Sequence, residues 1–305
     1  MALTADLLII WAWEYDADFV TMLMEACARH GLHAVACDES ALPALPERLE
    51  RGELRARVAL DRAWDWGNEY ERHMPAVQRH VPLLINDYER TRRIWNKFTV
   101  HLDLITHGLH APYLILLPSY YHDPNPAPPD LSVLGGRFSV KPAHGGGSGV
   151  LQPAATWREI LERRQAWPAD ETLLQAWVEP KLLGGRRAWF RVFYACGSTF
   201  LCWADDRTHI HEPVTPQEEQ RYHLSVLRGM TQHIASLSGL NLFSTEFALD
   251  QHNLWQVCDA INEPCDFRLK SKVDNGVPDT IVQSIAERIA GWVKRKARAA
   301  PQTAA

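Results

Sequence analysis

A lysine followed closely by a run of glycines is the densest chemical signal in this chain. The stretch "FSVKPAHGGGSGV" (Phe138–Val150) places Lys141 and His144 ahead of Gly145, Gly146, Gly147 and Gly149, with Ser148 among them. Glycine-rich turns expose consecutive backbone N–H groups that wrap a phosphate. The residue order excludes two common phosphate loops. In G-x-x-x-x-G-K-[ST] the lysine follows the glycines, whereas Lys141 precedes them. In the dinucleotide pattern G-x-G-x-x-G the glycines open a helix after the first strand of the chain, whereas here Val150 stands where the last glycine would, near mid-chain. Taken alone, the stretch is also compatible with a flexible surface hairpin.

Other polar residues fall where regular elements begin or end. Lys97 starts a helix, Lys141 ends a strand, and Gln175 to Glu179 close another strand. Arg191 lies inside a hairpin strand. Glu246 and the pair Asp259/Asn262 lie on two strands joined by a tight turn. Together these types suit an ATP site. Two lysines hold phosphates, a glycine flap covers them, and the strand end Gln175, Ala176, Trp177, Val178, Glu179 faces adenine and ribose. The acidic and amide oxygens suit Mg²⁺, a hard ion that prefers oxygen ligands and bridges phosphates. Arg191 is placed to stabilise charge on a transferring phosphoryl group.

The elements that must position these residues change in texture along the chain. "DLLIIW", "LHAVAC", "RVALDRA" and "PLLIND" read as apolar strands alternating with helices, so the first 86 residues are expected to form a small α/β domain with a parallel sheet. In such sheets ligands gather at the C-terminal strand ends, where "WEYD" (Trp13–Asp16) and "DRAWD" (Asp61–Asp65) stand. Glu14 and Asp16 are candidates for an ammonium group, and Arg62 and Arg187 for a carboxylate. The alternatives are helix capping by Asp16 or Asp18 and an Arg62–Asp65 ion pair. Residues 87–179 are expected to form a second domain with the glycine flap, crossed by a structureless Pro-rich surface loop at Ser119–Asp130. In it, Phe98, Leu102 and Ile105 are expected on one apolar face of the helix "KFTVHLDLITHG". Residues 180–297 alternate strongly, with hairpins turning at Cys196–Ser198 and Asp250–Asn253, one helix from about Pro216 to Leu237, and a closing amphipathic helix. The tail 298–305 is expected to be disordered.

Composition narrows the class. Of 305 residues 46% are hydrophobic and 23% charged, as in ordinary globular domains, and the net charge of -5 gives no global basic surface for nucleic acid. No segment reaches the roughly 18 apolar residues of a membrane span. "LLIIWAW" is interrupted by Glu14 and Asp16 and lacks a basic leader. The six cysteines (27, 37, 196, 202, 258 and 265) form no C-x-x-C, which suggests small buried residues in a reducing cytoplasm. "HIHE" (His209–Glu212) lacks a third metal ligand and is expected at the surface.

In order along the chain, "NKFTVHLDLITHGLHAPYLILLP", "FSVKPAHGGGSGV", "TLLQAWVEP", "FRVFYACG" and "STEFALD…LWQVCDAINEP" resemble the successive motifs of the ATP-grasp superfamily. The resemblance covers roughly residues 86–293. It implies an ATP-grasp fold of the carboxylate–amine ligase type, α/β overall and α+β in the C-terminal half, preceded by a parallel-sheet pre-ATP-grasp domain. It also implies ATP as co-substrate, bound by Lys97, Lys141, His144, Gly145–Gly149 and Gln175–Glu179, and one or two Mg²⁺ on Glu246, Asp259 and Asn262. ATP would convert a carboxylate, on an amino acid or short peptide, to an acyl phosphate that an amine attacks. Arg191, Lys141 and Arg268 would serve as catalytic or carboxylate-binding groups, with an Arg268–Asp266 ion pair as the alternative for the last. A homodimer is compatible with the resemblance.

The chain departs from the family in its last metal motif. The usual pattern is Glu-x-Asn, and "DAIN" has one extra residue between Asp259 and Asn262. A bulge would bring both oxygens to one metal, or Glu263 would substitute. Two rivals stay open: a kinase on the same fold, and a nucleotide-binding module without catalysis.

Overall fold

The computed structural model describes residues 2–65, 72–144, 152–154 and 156–299. In chain order, β1 (Leu3–Ile10), α1 (Ala17–Arg29), β2 (Ala34–Cys37), α2 (Leu45–Glu50), β3 (Leu54–Asp61), α3 (Met74–His80) and β4 (Leu83–Ile85) come first. Next are α4 (Tyr88–Trp95), α5 (Lys97–Thr106), β5 (Leu114–Leu117), β6 (Phe138–Pro142), β7 (Gln152–Ala154), α6 (Trp157–Arg164) and β8 (Thr172–Ala176). Short β9 (Leu182–Leu183) and β10 (Arg186–Arg187) precede β11 (Trp189–Ala195), β12 (Ser198–Ala204) and β13 (His211–Pro213). Then come α7 (Pro216–Arg221), α8 (Ser225–Ser238), β14 (Leu242–Leu249), β15 (Trp255–Asn262) and α9 (Asp279–Ala299). The larger sheets run β2-β1-β3-β4, β5-β8-β6-β7 and β13-β12-β11-β14-β15.

The chain divides into two compact units. The first comprises residues 1–91, 192–244 and 263–305, and the second 92–191 and 245–262.

In the first unit β1 pairs in parallel with both β2 and β3, and β3 with β4. A central parallel strand is covered on both faces, which is why Leu7–Ile10 form a continuous apolar run with no exposure. Phe19, Leu23 and Cys27 of α1 fall on one helical face and join Ile285, Ile289 and Val293 of α9 in one core. Each buried large aliphatic or aromatic side chain there contributes about 1.5–3 kcal/mol. Asn86, just after β4, ties its amide to the start of β14: Nδ2 donates to Leu242 O at 2.7 Å, and Oδ1 accepts from Asn241 N at 2.7 Å and Leu242 N at 3.0 Å.

The helix expected from Pro216 to Leu237 is two helices. Thr215 and Glu218 form a reciprocal capping box that starts α7. His223 then takes φ 55°, which breaks the hydrogen-bond ladder and turns Leu224 fully into the core before α8 begins. Gly239 ends α8 in the left-handed region with φ 69°. Its carbonyl accepts from Arg90 Nη1 at 2.7 Å, and a Cβ at Gly239 would lie 2.7 Å from that guanidinium.

In the second unit β8 lies between β5 and β6, all antiparallel, with Leu114 opposite Gln175 and Lys141 opposite Leu173. Leu117, Leu134, Phe138, Val140, Ile160 and Leu174 form its core. The Pro-rich loop is more organised than expected. Arg164 of α6 is fully buried, and its guanidinium donates to the carbonyls of Pro118 (2.6 Å), Asp123 (2.8 Å) and Pro124 (3.4 Å). Proline has no N–H to pair a neighbouring carbonyl, and one arginine with five donors fills that need.

Candidate active site

Three elements of the second unit converge on one pocket. On α5, Lys97, Val100, His101 and Leu104 repeat at helical spacing and line it together. Because that face turns inward, the apolar face expected from Phe98, Leu102 and Ile105 is not the buried one: Leu102 and Ile105 are 44% and 46% exposed. From the sheet come Leu114, Lys141 and Gln175, and from β15 Val257 to Ile261. The space measures about 400 Å³, including the part open to solvent.

Local sequence fixes both lysines. Asn96 caps α5 by accepting from Thr99 N at 3.0 Å, which puts Lys97 at the first helical position. The backbone N–H of Lys97 donates to Ala143 O at 2.8 Å, tying the helix start to the end of β6. Lys141 is buried on β6 with 7% exposure. Burial, with Lys141 adding to it, holds the Lys97 ammonium below its ordinary pKa of 10.5, while Asp259 pulls the other way. Burial and then Lys141 likewise lower His101. Like charges gathered in a partly desolvated pocket favour an anionic ligand.

Gln175 spans the pocket floor, with its Nε2 donating to Cys258 O at 2.9 Å. Beyond it, Ala176 N donates to Tyr113 O at 2.8 Å and Trp177 N to Arg137 O at 3.2 Å. The Arg137 guanidinium lies over the Trp177 ring at 4.0 Å. Val178 is half-buried, and the exposed Glu179 accepts from Arg187 Nη1 at 2.6 Å. The arginine expected to take a substrate carboxylate is therefore engaged by the residue expected to hold ribose. His144 is held on two sides: Asp170 Oδ1 lies 2.7 Å from its Nδ1, and Asn96 Nδ2 lies 3.1 Å from its Nε2. The phosphate-binding segment Gly145, Gly146, Gly147, Ser148, Gly149 lies outside the described residues.

Arg191 and Glu246 stand together, 3.7 Å apart between Nη1 and Oε1, and Trp189 Nε1 donates to Glu246 Oε2 at 3.1 Å. Asp259 lines the pocket, and Asn262 does not. Strand β15 runs from Trp255 to Asn262, and its consecutive residues Val257 to Ile261 border the pocket. No group of three or more His, Cys, Asp or Glu suited to a metal occurs among the described residues. Mg²⁺ needs only one or two carboxylates when phosphates and water supply the rest, and Asp259 among the lysines meets that need.

The substrate candidates of the first unit are committed elsewhere. Arg62 and Asp16 are 3% and 1% exposed and form a two-pronged pair, Nε–Oδ2 at 2.9 Å and Nη2–Oδ1 at 2.6 Å. Arg62 also donates to Cys265 O at 2.7 Å and lies over the rings of Phe267 and Phe19. Each consumes the other, so the expected ammonium and carboxylate roles, and the Arg62–Asp65 pairing, give way to a buried Arg62–Asp16 pair. Arg268 is bound by Asp266 at 2.7 Å, the alternative weighed for it. Glu14 is exposed.

Sequence reasoning missed His101, whose signal was its place one turn beyond Lys97. It also missed a buried triad in the first unit. There Asp61 Oδ2 meets both His73 Nε2 and the Tyr88 hydroxyl at 2.6 Å, and Asp61 Oδ1 accepts from Ala63 N. His211 of "HIHE" is buried on β13, and not at the surface as expected. All six cysteines are buried, and none is in a disulfide.

Known structures share the fold over most of the chain. D-cycloserine synthetase DcsG superposes with a TM-score of 0.64 at 17% identity, covering 95% of this chain and 99% of that one. The chain has the ATP-grasp fold. ATP-grasp ligase PsnB, solved with precursor peptide PsnA2 and AMPPNP, matches at a TM-score of 0.66 and 15% identity over 96% of this chain and 100% of that one. D-alanine–D-alanine ligase from Bacillus anthracis, solved with ATP, matches at 0.65 and 12% over 97% and 98%. No protein-family model and no curated protein matches the chain. The ATP-grasp architecture agrees with the parallel N-terminal sheet and later antiparallel sheets expected from the sequence. No described helix is long and apolar enough to cross a membrane.

Proposed function

We propose that this chain is an ATP-dependent, ADP-forming ligase that joins a carboxylate to an amine. The observation that carries the reading is the pocket that gathers Lys97, Lys141, Gln175 and Asp259. The neighbouring structures, two of them named as ligases and one as a synthetase, support the same class.

In this reading the lysines hold the α- and β-phosphates, and the apolar lining from Val100, Leu104, Leu114 and Val257 takes adenine. The N–H groups of Ala176 and Trp177 already serve the fold, so a backbone donor to adenine falls to Val178. Asp259 would hold Mg²⁺, which neutralises phosphate charge when bound. The substrate carboxylate attacks the γ-phosphorus, and ADP departs with the bridging oxygen. The amine then adds to the acyl carbon, and inorganic phosphate leaves with the former carboxylate oxygen as the amine loses a proton. Arg191 is positioned by Glu246 and would offset negative charge on the tetrahedral carbon. An amino acid or short peptide is the proposed substrate class.

The test is ADP release from Mg·ATP against pools of carboxylates, with hydroxylamine as the amine and Lys141→Ala as control. Lys141-dependent hydroxamate is the expected result. ADP without hydroxamate would point to a kinase. Nucleotide binding without turnover would favour the silent module.

A further inference from the structure

The pocket of the second unit has a charged end and an apolar end, and two regular elements measure the interval between them. On the sheet, Leu114 lies opposite Gln175 and Gln175 opposite Ser139, two residues before Lys141 on β6. At about 3.4 Å per residue, Lys141 stands about 7 Å further along the strands than Leu114. On α5, Lys97, His101 and Leu104 fall on one face and line the pocket. The bond from Lys97 N to Ala143 O ties the helix start to the Lys141 end of β6. A rise of about 1.5 Å per residue puts His101 about 6 Å beyond Lys97, and Leu104 about 4.5 Å beyond His101. His101 thus stands between the lysines and the apolar residues Leu104 and Leu114. In a nucleotide, the ribose spans that interval between phosphate and base.

The chemistry of the side chain suits a sugar. A lysine only donates hydrogen bonds and a carboxylate only accepts them, whereas a neutral imidazole does both, as hydroxyl groups require. Burial, and then Lys141, hold His101 below its ordinary pKa of 6.5, which leaves the ring neutral near pH 7. Among the described residues none hydrogen-bonds that ring. The other polar groups near the apolar end are engaged: Gln175 Nε2 donates to Cys258 O at 2.9 Å, and Glu179 accepts from Arg187 at 2.6 Å. We infer that His101 holds the ribose hydroxyls of the bound nucleotide and selects nucleotides that carry them. This deepens the nucleotide reading above and rests on it.

The test compares the affinity of the full-length protein for Mg·ATP and for Mg·2′,3′-dideoxyATP by calorimetric titration. The unaltered protein should bind ATP about tenfold more tightly, the size of a hydrogen bond left unmade at a desolvated group. His101→Phe and His101→Leu, which have neither donor nor acceptor, should each abolish that preference, and either one that folds suffices. His101→Gln keeps a donor and an acceptor and should retain most of it. A merely structural role for His101 would weaken both nucleotides alike and leave their ratio unmoved. A ratio near one in the unaltered protein, a ratio unchanged in His101→Phe or His101→Leu, or one lost in Glu179→Ala instead overturns the inference while leaving nucleotide binding intact. If neither nucleotide binds the unaltered protein, the nucleotide reading itself falls and takes the inference with it.

Discussion

Two sites, one in each unit, treat buried charge in opposite ways. In the first, Arg62 is matched to Asp16 through two hydrogen bonds and to a backbone carbonyl through a third. Asp61 is likewise matched to His73, Tyr88 and the chain itself. In the second unit two lysines line one pocket with a single carboxylate, and burial depresses the charge on Lys97. Saturated charges hold a fold together. Like charges gathered in a pocket raise the free energy of the unliganded protein and are relieved by an anion. The difference separates structural polar groups from binding groups without reference to any relative.

Breaking the matched side should cost most. Arg62→Ala leaves Asp16 buried without its cation, and we expect a loss of about 3–5 kcal/mol in urea unfolding. A loss below about 1 kcal/mol would show that Arg62 is not structural. Tyr88→Phe removes one of the donors to Asp61. The expected cost is about 1.5–3 kcal/mol, typical of a hydrogen bond to a charged group. Asn96→Ala removes the α5 cap and one contact to His144, for about 1 kcal/mol. It should also weaken nucleotide binding, because Lys97 is the next residue. An unchanged affinity would separate the cap from the site.

The smallest effect is a pH dependence. With the Lys97 pKa below 10.5 in the folded protein, the penalty for its buried charge is fully present below that lowered value. It fades as pH rises toward 10.5, because the unfolded chain then binds more protons than the folded one. Bound nucleotide would raise the same pKa, so affinity should fall as pH climbs through this window, with proton uptake on binding. Lys97→Arg should flatten the profile, since guanidinium stays charged. An identical slope in the variant would assign the effect to another group.

The legible parts of the molecule were those with local signals. Apolar runs gave β1, β3 and β4. Lys97, Lys141 and Gln175 were found because each ends or begins an element, which is where strands deliver side chains to a ligand. Partners distant in sequence left no such trace. Asp16 and Arg62 are 46 residues apart, and nothing local chooses Asp16 over Asp65. The inward face of α5 was misread because its lining mixes Lys97 and His101 with Val100 and Leu104, so an apolar count selects the wrong stripe. The break at His223 depends on a single backbone dihedral that the composition of "RYHLS" does not reveal.

The central claim is that the lysine pocket of the second unit is the nucleotide site. Calorimetric titration of Mg·ATP into the unaltered protein and into Lys141→Ala tests it most directly. The account expects saturable binding that weakens by about 10–100-fold in the variant, the size of a lost charge-assisted contact, with the unfolding midpoint little changed. Equal affinity in both proteins would contradict it.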